Sequence, residues 1–133
     1  MQENQTFYYE TQKMLQAAYR ELSVEDYQST VHTMLERLSD RPATALELGC
    51  GVGLAAISLS DLDVEVTAID FEPTVHQSAL ENQAKYAAQV NFLREDFYQY
   101  DAQSQFDLVY YLDGFGIGAD ADQLKLLKRI KEW

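Results

Sequence analysis

The sequence is poor in cysteine, in proline and in long apolar runs, and each shortage excludes a class of protein. Cys50 is the only cysteine among 133 residues, so an internal disulfide is excluded and a reducing cytoplasm is the expected compartment. No apolar run approaches the roughly 18 residues of a membrane span. Residues 1–5 lack the basic and apolar regions of a secretion signal. We therefore expect a cytoplasmic protein without membrane contact.

Basic residues are also scarce. The chain has 10 Lys and Arg against 22 Asp and Glu, a formal net charge of −12. A nucleic-acid-binding protein draws most of its affinity from Lys and Arg that neutralise phosphates. The only basic cluster is near the end of the chain, at a spacing typical of the solvent face of an amphipathic helix: Lys125, Lys128, Arg129 and Lys131. The charge disfavours nucleic acid as a partner and favours a small molecule.

Hydrophobic periodicity divides the chain into two parts. Helical spacing predicts one helix over residues 7–22 and a second that opens with a capping box formed by Ser23 and Asp26. Beyond residue 42, strands are predicted at 43–48, 64–69, 90–93 and 106–112, with helices at 54–59, from Pro73 onward, and at about 120–131. This alternation predicts an open parallel sheet with helices on both faces. We divide the chain into a helical cap, residues 1–41, and an α/β domain, residues 42–133.

The last predicted helix offers an apolar stripe. Leu124, Leu127 and Ile130 recur at helical spacing, and we expect them to face the sheet.

A glycine-rich loop follows the first predicted strand. It contains Glu47, Gly49, Gly51 and Gly53 in an E-x-G-x-G-x-G pattern. Glycine permits positive φ and lets a ligand approach the backbone, and the free N–H groups at a helix start can receive an anionic group. The dinucleotide fingerprint requires glycine at position 54, which is Leu54 here, and no Gly-Lys-Ser/Thr follows for a phosphate loop. A tight turn that binds no ligand is the remaining alternative.

Acidic residues follow three successive predicted strands. Asp70, Asp96 and Asp113 stand at the ends of the second, third and fourth strands, and the carboxyl ends of parallel strands meet at one edge of the sheet. A carboxylate at Asp70 can accept hydrogen bonds from both ribose hydroxyls of a nucleoside. Phe71 beside it could pack on the purine. Together these positions favour a nucleoside-containing ligand over a bare turn.

The glycine pattern resembles the first motif of the class I, Rossmann-like, S-adenosylmethionine-dependent methyltransferases, and the resemblance runs from about residue 43 to 133. It implies that the three glycines face the methionine part of S-adenosylmethionine, with Glu47 orienting the loop. It also implies that Asp96 and Phe97 contact the adenine, and that Asp113 and Gly114 lie near the sulfonium and the acceptor. S-adenosylhomocysteine would be the product, and no metal site is predicted.

The family fold has seven strands in the order 3-2-1-4-5-7-6, and this sequence supplies four. We therefore expect the incomplete order 3-2-1-4, in a chain that is a fragment or that completes its sheet with another chain. An unpaired fourth strand would expose backbone donors and acceptors, which recruit a partner strand. We expect a homodimer, formed through this edge or through exchanged helices.

The methyl acceptor and the catalytic base are not apparent from the sequence. Tyr8, Tyr9, His76 and Asp113 are the candidates at lid or strand-end positions, and Asp113 is the one we retain. The absence of an Asn/Asp-Pro-Pro-Tyr/Phe motif agrees with a small-molecule acceptor rather than nucleic acid. Two alternatives stay open: an inactive or partner-completed cofactor-binding module, and an NAD-dependent oxidoreductase, which Leu54 disfavours.

Overall fold

A computed structural model of the chain describes residues 6–7, 10–11, 22–112 and 119–133. The elements in these ranges, in chain order, are α1 (Val24–Glu36), β1 (Thr44–Leu48), α2 (Leu54–Ser60), β2 (Glu65–Asp70), α3 (Pro73–Lys85), β3 (Val90–Arg94), β4 (Leu108–Tyr110) and α4 (Asp120–Ile130). Most of the helix predicted over residues 7–22 lies outside the described residues, as do Tyr8, Tyr9, Asp113 and Gly114.

The four strands form one parallel sheet in the order β3-β2-β1-β4. This confirms the predicted order and the Rossmann-like fold class. The register aligns Leu48 with Ile69 and Ile69 with Leu93, so the ends of β1, β2 and β3 lie side by side at the carboxyl edge. The loops that follow these strands therefore meet at that edge.

Apolar side chains cover both faces of the sheet. On one face α1, α2 and α3 pack on alternate strand residues in a core that includes Val31, Ala45, Ile57, Val66, Ala79 and Phe92. On the other face α4 packs on the intervening residues in a smaller core of Leu46, Leu48, Ile69, Phe97, Leu126 and Trp133. Because Val24 and Val31 of α1 lie in the first core, α1 packs against the same sheet. The boundary predicted at residue 41 stays a prediction.

The capping box predicted at the start of α1 is present. The Asp26 carboxylate accepts a hydrogen bond from the backbone N–H of Ser23 at 2.7 Å and one from the Ser23 hydroxyl at 3.0 Å. Pro73 likewise stands at the start of α3, as predicted.

The fourth strand is shorter than predicted, since β4 covers only Leu108–Tyr110 of residues 106–112. The backbone N–H groups of Phe106 and Asp107, just before β4, form hydrogen bonds outside the strand ladder. Phe106 N–H donates to the carbonyl of Trp133, and Asp107 N–H donates to the Thr44 hydroxyl at 3.0 Å. The Asp107 carboxylate in turn accepts from the N–H of Ala43 at 2.8 Å. These contacts anchor the segment beside β1 without extending the ladder.

The predicted inward face of α4 was wrong for Leu124 and Leu127 and right for Ile130, which packs against the core. Leu124 and Leu127 are 55% and 46% exposed, whereas Leu126 and Gln123 are buried. Spacing alone allowed two stripes through this leucine-rich helix, and the buried one contains Gln123, Leu126 and the partly buried Ile130. Among the described residues, no helix is both long enough and apolar enough to cross a membrane.

Candidate functional site

The glycine loop at the carboxyl end of β1 is left-handed at three positions. Gly49, Gly51 and Gly53 have φ of +65°, +56° and +82°, a region that L-residues with a side chain rarely adopt. A Cβ on Gly53 would lie 2.4 Å from Cζ of Phe92, whereas a Cβ on Gly51 would have nothing within 4 Å. Gly53 is therefore required by packing against β3, and Gly51 leaves open space above the loop.

Backbone and side-chain hydrogen bonds attach this loop to its neighbours. Cys50 N–H donates to the carbonyl of Ile69 at 3.0 Å, and Gly51 N–H donates to Oδ2 of Asp70 at 2.9 Å. From α3, Nδ2 of Asn82 donates to the carbonyl of Val52 at 3.0 Å. The loop is thus fixed to the ends of β2 and α3, and its shape is set before any ligand binds.

Two carboxylates lie buried at the end of β2. Asp70 and Glu72 are each 2% exposed. Oδ1 of Asp70 accepts from Glu72 N–H at 3.1 Å, and Oε2 of Glu72 caps α3 by accepting from Val75 N–H at 2.6 Å. Burial raises the pKa of Asp70 above its ordinary 3.8, the hydrogen bonds from Glu72 and Gly51 N–H oppose that rise, and the Glu72 charge adds to it. Within the described residues, Oε1 of Glu72 is buried without a hydrogen-bond partner.

A second buried polar pair lies beneath the loop. The Tyr110 hydroxyl on β4 donates a hydrogen bond to Oε2 of Glu47 on β1, with 2.7 Å between the oxygens. Burial raises the pKa of Tyr110 well above 10.0, and the Glu47 charge raises it further. Cys50 is subject to the same influences: burial first, then the charges of Glu47 and Asp70, raise its pKa well above 9.0. Both groups therefore stay protonated near neutral pH.

The segment after β3 supports the loop from the other face. Asp96 accepts a hydrogen bond from Tyr98 N–H at 2.9 Å through its own carboxylate. The Phe97 ring is 5% exposed, and one of its edge carbons would lie 3.5 Å from a Cβ on Gly49. Phe97 thus packs under the first glycine, and Asp96 is partly exposed beside it.

The structure brings most of the predicted positions together at one edge. Glu47, the glycines and Asp70 are linked through the loop, and Phe71 follows Asp70, half-buried. The predicted candidate Asp113 lies outside the described residues, while His76 is on α3, partly exposed. Sequence reasoning missed Glu72, Asn82 and Tyr110. The partners of Asn82 and Tyr110 lie on elements distant in sequence, so local patterns carried no signal for them. Glu72 is different: it caps α3 through Val75, three residues on, but glutamate is not among the usual capping residues.

Comparison with known protein families identifies the family of this chain. The sequence model described as "Methyltransferase domain" matches residues 45–133 of the chain. The chain belongs to the methyltransferase-domain family. The oxidoreductase alternative finds no support among the matches. A search of curated proteins gave no significant match.

Solved structures share the fold of this methyltransferase domain. A protein assigned as an S-adenosyl-L-methionine-dependent methyltransferase, from Methanococcus maripaludis, is 20% identical, with a TM-score of 0.76 over 89% of this chain and 56% of that one. Magnesium protoporphyrin IX methyltransferase from Synechocystis PCC 6803, with bound SAM, is 18% identical, with a TM-score of 0.75 over 99% and 72%. The plantazolicin methyltransferase BpumL, in complex with SAH, is 20% identical, with a TM-score of 0.65 over 92% and 49%.

These likenesses establish the class I methyltransferase fold. The chain spans about half the length of several of the structures that it matches, between 47% and 56% for three of them.

Proposed function

We propose that this domain binds S-adenosylmethionine at the carboxyl edge of β1 and β2 and forms the cofactor-binding part of a methyltransferase with a small-molecule acceptor. The observation that carries the proposal is the left-handed glycine loop held over Asp70. The open space at Gly51 gives a ligand access to the backbone, and the surrounding carboxylates suit a ligand with cationic groups. The family match over residues 45–133 and the neighbours with bound SAM or SAH support the same cofactor.

The site residues divide between the parts of this cofactor. Gly49, Gly51 and Gly53 would face its methionine part. Asp70 would accept hydrogen bonds from the ribose through carboxylate lone pairs that its contacts with the N–H groups of Gly51 and Glu72 do not use. Phe71 is proposed to pack on the purine.

The adenine and acceptor contacts remain predictions for the positions after β3 and β4. Asp96, partly exposed, suits the adenine amino group. Phe97 is buried beneath Gly49, so its support is to the loop, and a direct adenine contact stays a prediction. Asp113 is proposed near the acceptor.

When bound, the cofactor supplies a methyl group on a sulfonium, which an acceptor attacks in line while the sulfonium leaves as a neutral thioether. The residues of this chain contribute chiefly position, because a well-oriented reactant pair needs little further assistance. The rigid loop and the buried Asp70 would fix the nucleoside. Asp113 is the candidate that could take a proton from the acceptor.

Titration calorimetry tests the cofactor assignment. S-adenosylmethionine and S-adenosylhomocysteine should bind and release heat, and NAD should not. Asp70→Ala should weaken S-adenosylhomocysteine binding about tenfold or more, since a hydrogen-bonded charged group contributes roughly 1.5–3 kcal/mol. Glu65→Gln is the matched control, because Glu65 is an exposed carboxylate at the other end of β2. Undiminished binding by a folded Asp70→Ala protein would make the ribose assignment wrong.

Turnover separates two forms of the proposal. Methylation of any member of an acceptor panel would establish an active enzyme. Tight cofactor binding without turnover would instead support an inactive or partner-completed binding module.

We also propose a homodimer that pairs through β4. Among the described residues, β4 has a single strand neighbour, β1, so the other side of β4 carries no ladder. Sedimentation at micromolar concentration should give twice the mass of one chain, and a single-chain mass would refute the dimer.

A further inference from the structure

Tyr110 and Glu47 are opposite each other in the sheet. The parallel register of β1 and β4 pairs Glu47 directly with Tyr110. Their side chains are 3% and 6% exposed, and the phenol and carboxylate oxygens are 2.7 Å apart. The glycine loop begins at Gly49, two residues after Glu47 and directly after the end of β1, so this contact lies at the base of the loop.

The hydroxyl of Tyr110 is polar in an otherwise apolar setting. The ring belongs to the core that also contains Ala45 and Val66, where phenylalanine would fill the same space. A buried hydroxyl costs free energy unless it is hydrogen-bonded, and the bond to Glu47 satisfies it. Because burial raises the pKa of Tyr110 well above 10.0, the phenol stays protonated and can act only as the donor to a carboxylate.

The Glu47 carboxylate is therefore fixed by β4 while it acts on the loop. Its charge reaches Cys50, where it helps to raise the pKa of the thiol. The hydrogen bond from the phenol fixes the position of the Glu47 carboxylate. A negative charge held under the loop attracts a cationic group on the ligand above it.

We propose that Tyr110 is a positioning residue of the cofactor site, which orients the Glu47 carboxylate beneath the glycine loop for recognition of the amino-acid part of the ligand. This inference rests on the proposed function. The adenosine part would be held at β2 and β3, away from β4, so the effect of Tyr110 should be confined to ligands that carry the amino-acid part.

Calorimetry on Tyr110→Phe with two ligands tests this selectivity. S-adenosylhomocysteine carries the amino-acid part, and 5′-methylthioadenosine lacks it. Tyr110→Phe should bind S-adenosylhomocysteine about tenfold more weakly, as expected for one hydrogen bond to a charged group, and 5′-methylthioadenosine within about twofold of the parent.

Tyr86→Phe is the matched control, because the Tyr86 hydroxyl also makes a hydrogen bond, from Val24 N–H at 3.3 Å, on the α1 side of the molecule. It should leave both affinities unchanged. In a Glu47→Gln background, Tyr110→Phe should cause little further loss, since the charge that it positions is gone. Because Glu47→Gln removes the buried charge, the double variant leaves no carboxylate without its donor, and it gives a second test where Tyr110→Phe alone unfolds.

Each other outcome has a distinct meaning. Equal weakening of both ligands would show that Tyr110 acts only through the general packing of the sheet, and unchanged S-adenosylhomocysteine binding would show no positioning; either result overturns the inference. Failure of the parent to bind S-adenosylhomocysteine at all overturns the proposed function instead.

Discussion

Gly53→Ala should destabilise the fold far more than Gly51→Ala, although both positions are in the same loop. At Gly53 two costs combine. The φ of +82° costs an L-residue about 1–2 kcal/mol. The new Cβ would also lie 2.4 Å and 2.6 Å from two ring carbons of Phe92 and 3.3 Å from Cβ of Ala79, and overpacking of this kind costs roughly 1–3 kcal/mol.

The combined loss at Gly53 is then about 3 kcal/mol in the free energy of unfolding, a large part of the 5–15 kcal/mol that holds an ordinary domain together. For a domain of this size it corresponds to a fall in Tm of about 12 °C. At Gly51 the φ of +56° acts alone, because nothing lies within 4 Å of the new Cβ. We expect about 1 kcal/mol, or about 4 °C.

Urea and thermal unfolding followed by circular dichroism measure both variants. Adding Phe92→Leu removes the ring that the new methyl group would meet, so Gly53→Ala should cost only about 1 kcal/mol in that background, a coupling of about 2 kcal/mol. Equal destabilisation by the two alanines, or no coupling with Phe92, would refute the packing argument. Gly51→Ala should instead act on binding, with S-adenosylhomocysteine affinity falling while the fold persists.

Three further predictions concern charge, reactivity and the second core. Burial raises the pKa of Asp70 above 3.8, so the folded state keeps this proton at pH values where the unfolded chain has lost it. The free energy of unfolding should therefore fall as pH rises from about 4 through the pKa of the folded state. Asp70→Asn should lack this pH dependence when urea unfolding is measured at several pH values. Cys50, partly buried and with its pKa well above 9.0, should react with a thiol reagent at pH 8 at least about tenfold more slowly in the folded chain than in urea; equal rates would contradict its protonated state. Arg129 donates hydrogen bonds to the carbonyls of Tyr98 and Tyr100, so Arg129→Met should lower the free energy of unfolding by about 2 kcal/mol. Lys128→Met, at the exposed neighbouring position, should change it little. Similar melting temperatures for the two variants would contradict a structural role for the guanidinium.

The sequence was most informative where a local conformation demands one residue type. The left-handed backbone at Gly49, Gly51 and Gly53 strongly favours glycine over residues with a side chain, so the spacing of the glycines predicted the loop. The capping box of Ser23 and Asp26 depends on two residues three positions apart, so the sequence pattern predicted it as well. The strand order followed from the alternation of elements together with the family resemblance.

The remainder depended on contacts between distant segments. The extent of β4 is limited by the hydrogen bond from Phe106 N–H to Trp133, which no local pattern reveals. Glu72 is the exception, since its cap of α3 acts over only three residues; Ser, Thr, Asp and Asn are the usual residues there, so the pattern did not single it out. The pairing of Tyr110 with Glu47 required the register of two strands that are far apart in sequence.

The position of Trp133 has a spectroscopic consequence. It is the single tryptophan of the chain, 7% exposed in the core on the α4 side of the sheet. Its ring packs edge-on against the Tyr100 ring, with 5.7 Å between the ring centres, and the central carbon of the Arg129 guanidinium lies 5.0 Å from the centre of the tryptophan ring. Intrinsic fluorescence therefore reports on one side of the sheet, while circular dichroism averages over all helices. Coincidence of the two unfolding curves would show that both sides melt as one cooperative unit, and an earlier fluorescence transition would show that the α4 side loosens first.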